Sequence, residues 1–242
     1  MSGADRRAAR ERTLAAQEAE RRAVERRRRS IRTLAALAVL ALVVVGGIAV
    51  QALRDAPGAA AAVPTAAPTG SYPVGGSSAP VDVVIYEDFQ CPACRSFAAA
   101  AEPVLDQALA DGTVRVTYRP VAILDRFSDD EYSTRSLNAF ACAVDAGAEA
   151  RALNALLYAE QPEEGGPGLS NDRLAELAQQ AGADAEVAAC IDERRFGDWT
   201  EQVTETASSD GLVGTPRVLV NGAAVPDPTP AALSAAIAVA AA

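Results

Sequence analysis

The 242-residue chain has no histidine, one methionine, one tryptophan and only 5% aromatic residues. Without histidine no Ser/His/Asp array can form, and metal sites lose one of their usual ligands. No glycine-rich phosphate loop is present either. Cysteine is scarce, with four in all. A zinc ribbon needs two close pairs of ligands, but only Cys91 and Cys94 are neighbours, while Cys142 and Cys190 stand far apart. No metal and no cofactor is therefore expected. What remains is one C-x-x-C.

That motif is well placed for redox chemistry. Val81, Val83 and Ile85 fall on one face of an extended segment ending shortly before Cys91. After Cys94, the run Phe97, Ala98, Ala101, Val104, Leu105, Ala108 and Leu109 has helical spacing up to Asp111-Gly112, with a kink expected at Pro103. Cys91 thus precedes a helix whose unpaired N–H groups and positive dipole end favour a thiolate. Cysteines so placed have pKa values of roughly 3.5–7.5 instead of about 8.5. Pro92 suits the first helical position, where its missing N–H costs nothing. The sequence predicts an exposed attacking sulfur at Cys91, a deeper resolving sulfur at Cys94, and Ala93 as the remaining residue between them. A C-x-x-C at a strand-to-helix junction is a redox placement, with a structural disulfide as the plainer alternative.

From Asp88-Phe89-Gln90-Cys91-Pro92-Ala93-Cys94-Arg95, and from Gly214-Thr215-Pro216-Arg217-Val218-Leu219-Val220-Asn221-Gly222 far downstream, the region from about Val81 to the C-terminus resembles the DsbA-like branch of the thioredoxin superfamily. The resemblance implies a cis Thr215-Pro216 bond facing the cysteines, leaving the Thr215 backbone free to pair with an incoming peptide, and a helical insertion between the motifs. It departs at two places. The acid that many relatives bury six positions before the first cysteine is Ile85 here, and the histidine that strong oxidases carry between the cysteines is Ala93. The resemblance also implies reoxidation by a membrane quinone reductase of the DsbB or vitamin K epoxide reductase kind. Four cysteines allow three pairings. Cys142 and Cys190 read as two buried thiols or as one disulfide, and two-disulfide relatives imply the latter.

Charge is divided unevenly along the chain. Residues 1–32 hold eleven arginines against five acids, a net +6, which leaves eleven arginines and 27 acids, or −16, to the remainder. The apolar stretch over 33–53 is long enough for a spanning helix, which needs roughly 17–25 residues. Arg26-Arg27-Arg28-Arg29 and Arg32 precede it, so the positive-inside rule keeps the N-terminus in the cytoplasm and the rest outside. This favours a single-pass signal anchor in the cell membrane over a cleaved signal peptide, and lipid headgroups over nucleic acid as partner of the arginines. Residues 54–80, rich in proline, alanine and glycine, read as a disordered linker.

Residues 81–242 are expected to form one α/β domain, thioredoxin-like, with a helical insertion over about 128–212. A second strand is read at Thr113–Arg119. Ser128-Asp129-Asp130-Glu131 is a capping box, followed by helices at about Glu149–Ala159, Asn171–Ala181 and Asp184–Asp192, and by a second box at Asp198-Trp199-Thr200-Glu201. Pro162–Gly168 reads as an exposed loop. Val218–Val220 is a short strand, Asn221-Gly222 a hairpin turn, and Thr229-Pro230 the start of a last helix. Trp199 is assigned to the core, and Glu87 and Asp88 to a solvated strand end rather than to proton relay. Arg95 and Arg217 are candidates to support a thiolate. Three functions fit: an extracytoplasmic oxidase introducing disulfides into exported proteins, a reductase or isomerase, or a scaffold whose C-x-x-C is only structural.

Overall fold

The computed structural model of the protein describes residues 61–242. The arginine-rich segment, the expected anchor and the start of the expected linker lie outside the described residues. Among the described residues no helix is long and apolar enough to cross a membrane. The elements are β1 (Tyr72–Val74), β2 (Val81–Glu87), α1 (Pro92–Ala110), β3 (Val114–Pro120), a 3-10 turn (Asp125–Phe127), α2 (Tyr132–Asp145), α3 (Ala150–Ala159), α4 (Asn171–Gln180), α5 (Val187–Asp192), α6 (Gly197–Ser209), β4 (Arg217–Val220), β5 (Ala223–Val225) and α7 (Pro230–Ala240).

The strands form one sheet in the order β1-β3-β2-β4-β5. β2 and β3 are parallel, connected through α1, and the other neighbours are antiparallel. β2 is central and alternates buried and more open residues, with Val81, Val83 and Ile85 inside. Helices α2 to α6 stand between β3 and β4, so the expected α/β fold with a helical insertion is what the protein adopts. The Asn221-Gly222 turn has φ of 47° and 81°, the left-handed pair that a two-residue hairpin requires. Asn221 also accepts a hydrogen bond from the Asp82 amide, locking the hairpin to the start of β2.

The linker expected over 54–80 needs correction where it is described. Tyr72–Val74 pairs with β3, Tyr72 against Tyr118. Tyr72 is buried, and its ring meets Phe140 of α2 edge-on with centroids 4.8 Å apart. The lone tryptophan, Trp199, is buried as expected and donates from its indole to the Pro68 carbonyl at 2.9 Å. Composition misleads here because one aromatic side chain with a waiting pocket outweighs several alanines and prolines. Pro73 is compatible with a strand because β1 is an edge.

The first capping box is also displaced. Helix α2 begins only at Tyr132, after Glu131 at φ 49°. Ser128 still caps it, accepting from the Tyr132 amide at 2.9 Å, and Asp125 accepts from the Thr134 amide at 2.9 Å. The second box fails at its first position. Phe196 rather than Asp198 precedes α6, and its amide is satisfied by Asn138 of α2 at 2.9 Å. α1 continues through Pro103.

Helix α2 is the axis of the insertion, buried along most of its length. A disulfide joins its Cys142 to Cys190 of α5, with Cα atoms 5.9 Å apart. Arg135, also in α2 and buried, donates to the carbonyls of Leu169 and Pro167 and so fastens the loop leading out of Pro162–Gly168. Gly168, at φ 76°, passes so close that a Cβ there would overlap the Tyr132 ring.

Candidate active site

Cys91 is the N-cap of α1 with Pro92 at the first helical position, as the sequence predicts. Its carbonyl accepts from the amides of Cys94 at 3.1 Å and Arg95 at 3.2 Å, which starts the helix and brings the two cysteines onto adjacent turns. Both thiols are free. Cys94 is sealed at 1% exposure, but Cys91 is itself only 7% exposed, so the sulfur expected to be exposed is largely buried.

The Thr215-Pro216 bond is cis. It brings the Thr215 carbonyl within 3.5 Å of the Cys91 sulfur. Arg217 is bonded elsewhere. Its guanidinium donates to the Gly211 carbonyl at 2.8 Å and braces the loop that carries Thr215. Arg95 lines a cavity that also reaches Glu87.

The two thiols are strongly unlike. A hydrogen bond from the Cys94 thiol, with further ones from the amides at the helix start, outweighs burial and lowers the Cys91 pKa to about 6. Burial, with the neighbouring Cys91 sulfur, pushes the Cys94 thiol far up. A thiolate therefore resides on Cys91 at neutral pH, and its proton-holding partner is Cys94.

The acids before Cys91 overturn the solvated reading. Glu87 is 2% exposed and Asp88 is fully buried. Asp88 ties three segments together, accepting from the Gln90 amide at 2.9 Å, the Ser133 hydroxyl at 2.7 Å and the Leu124 amide at 3.0 Å. Burial raises its pKa to about 7 against those bonds. Glu87 accepts from the Asn154 side chain and from the Tyr158 hydroxyl, both of α3. Burial nevertheless raises it to about 8, so it is mostly protonated at neutral pH. A cavity of about 380 Å³ beside this acid is lined by Glu87, Tyr118, Asn154, Tyr158 and Arg95 among others. The acid that is absent at Ile85 is thus present two residues later on the same face of β2. The alternation of Val81, Val83 and Ile85 carries the signal, because Glu87 has their parity.

This predicts a pH dependence. The unfolded chain gives up the Glu87 proton near 4.5, whereas the folded protein holds it to about 8, so stability is lost as pH rises between these values. Glu87→Gln keeps the shape without the ionisation. Urea unfolding of both proteins across that window should show the variant gaining on the parent as pH rises. Parallel curves would refute the assignment.

Gln161 is a further participant that the sequence did not reveal. It follows α3, and its side-chain nitrogen donates to the carbonyls of Phe89 and Cys91, both at 2.9 Å.

The thioredoxin family pattern matches residues 67–238. The chain belongs to the thioredoxin superfamily, in its DsbA-like branch of thiol:disulfide oxidoreductases. Among solved structures, it is similar to the reduced disulfide bond oxidoreductase DsbG of Mycobacterium tuberculosis, at 36% identity and TM-score 0.62, covering 71% of this chain and 88% of that one. It is similar to oxidised DsbA of the same organism, at 34% identity and TM-score 0.62, covering 71% and 92%. A curated relative, the serine/threonine-protein kinase PknE of M. tuberculosis, is 34% identical over 150 residues, 58% of this chain. The match spans only 26% of that kinase, so the likeness concerns one part of it.

Proposed function

We propose that this DsbA-like protein is an oxidase that introduces disulfides into exported polypeptides through Cys91 and Cys94. A substrate thiolate attacks the Cys91 sulfur of the enzyme disulfide, and Cys94 leaves as a thiolate and takes up a proton. A second substrate thiolate then attacks the substrate sulfur of the mixed disulfide. The substrate leaves with its new S–S bond and Cys91 leaves as a thiolate. Two electrons pass from substrate to enzyme.

The observation that carries this reading is the disparity of the two thiols. A Cys91 pKa of about 6 makes that sulfur a good leaving group and stabilises the reduced enzyme, which is what makes a disulfide oxidising. In this proposal Pro92 and Ala93 shape the turn, and Thr215 and Pro216 receive the substrate backbone. Residues 33–53 anchor the protein with its N-terminus in the cytoplasm and its catalytic domain outside, where disulfides persist. A quinone-linked membrane reductase reoxidises the pair. A redox titration of the protein against glutathione tests the direction. The expected potential is above about −200 mV, and a value near about −270 mV would make it a reductase instead.

A further inference from the structure

The strongest feature that the reaction has not absorbed is the amide of Gln161. It enters from the end of α3, in the helical insertion, and reaches back to the segment that starts α1. An uncharged carboxamide nitrogen has two N–H donors, and here each meets one carbonyl, that of Phe89 and that of Cys91. The opposite orientation of the amide would set its oxygen against both carbonyls, so the hydrogen-bond pattern fixes which atom is nitrogen. The side chain is 8% exposed, and its oxygen is buried without a partner among the described residues. A buried amide held by its donor half alone is costly unless those two bonds matter.

We propose that Gln161 is a positioning residue for the nucleophile, fixing the Cys91 backbone at the helix start and drawing two carbonyl dipoles away from the negative charge that forms on its sulfur. The inference rests on Cys91 being that nucleophile. A carbonyl that loses a donor presents more of its negative end to its surroundings, so removing Gln161 disfavours the thiolate, more through Phe89 than through Cys91. The Cys91 carbonyl keeps its helical partners, Cys94 and Arg95, in either case. The helix start therefore survives while the electrostatic effect is lost. Gln161 also makes the insertion a contributor to the redox centre, since the loop that follows it is held at its far end by Arg135.

The test uses the full chain with only Cys91 and Cys94 reduced. Iodoacetamide alkylation is followed against pH, with the labelled cysteine identified by mass spectrometry. Gln161→Met keeps the length of the side chain and loses both donors. It should move the midpoint of Cys91 alkylation up by about one pH unit, or about tenfold less thiolate at a given pH below the midpoint. Gln161→Asn keeps the amide but falls one methylene short, and should move it the same way. If Gln161→Met does not fold, Gln161→Asn decides. A merely structural role would lower melting temperature and leave the midpoint unmoved, and that result in a folded variant overturns the proposal. Labelling of Cys94 before Cys91 in the parent protein would instead overturn the assignment of the nucleophile.

Discussion

Replacing Cys94 with alanine should fill the protein with covalently bound substrate, and replacing Cys91 should end activity altogether. In Cys94→Ala, the Cys91 thiolate attacks a substrate disulfide, forms a mixed disulfide and releases one substrate thiolate. No second enzyme sulfur is left to break that bond. In Cys91→Ala, the remaining sulfur is sealed and burial still holds its pKa up, so little thiolate forms at neutral pH. Non-reducing electrophoresis of cell extracts reads the outcome, with high-mass species for Cys94→Ala that collapse on adding reductant and none for Cys91→Ala. Trapping on Cys94 would reverse the two roles.

The second large effect concerns stability alone. The Cys142–Cys190 bond closes a separation of 48 residues between α2 and α5. The chain-entropy account gives such a loop about 4 kcal/mol, an upper figure because the unfolded chain keeps some structure. Replacing both cysteines with alanine should lower the melting temperature by about 10 °C for a domain of this size. The Cys91 alkylation rate should stay as it was, because the bond fastens the insertion and does not touch the pair. An unchanged melting temperature would mean that α2 and α5 are held by packing alone. A changed alkylation rate would mean that the disulfide also shapes the redox centre.

What could be read from the sequence followed from local rules. A C-x-x-C behind an alternating strand placed both thiols, Pro92 marked the helix start, and Asn221-Gly222 set the hairpin. The cis Thr215-Pro216 bond was legible only through the family resemblance, since nothing local distinguishes it from an ordinary strand start. The misses were long-range. Glu87 is inside because α3 brings Asn154 and Tyr158 to meet it, 67 and 71 residues away. Its parity on β2 pointed inward, but the general rule that acids are exposed won. β1 escaped notice because its partner strand and the ring of Phe140 lie elsewhere in the chain. Gln161 falls between the helix read to Ala159 and the loop read from Pro162 and was given no role, because its two acceptors are backbone atoms, which leave no trace in composition.

The two ends of the sheet bear on the proposed work on exported chains. An open strand edge is a template on which another polypeptide can pair, and from there aggregate. Here both edges are three residues long, β1 at Tyr72–Val74 and β5 at Ala223–Val225. Pro73 removes a donor from the middle of the first. A captured polypeptide thus finds little to zip onto at either border and is not drawn into a growing cross-strand assembly. Under the proposed function, sticky cargo can be bound at Thr215 and let go again.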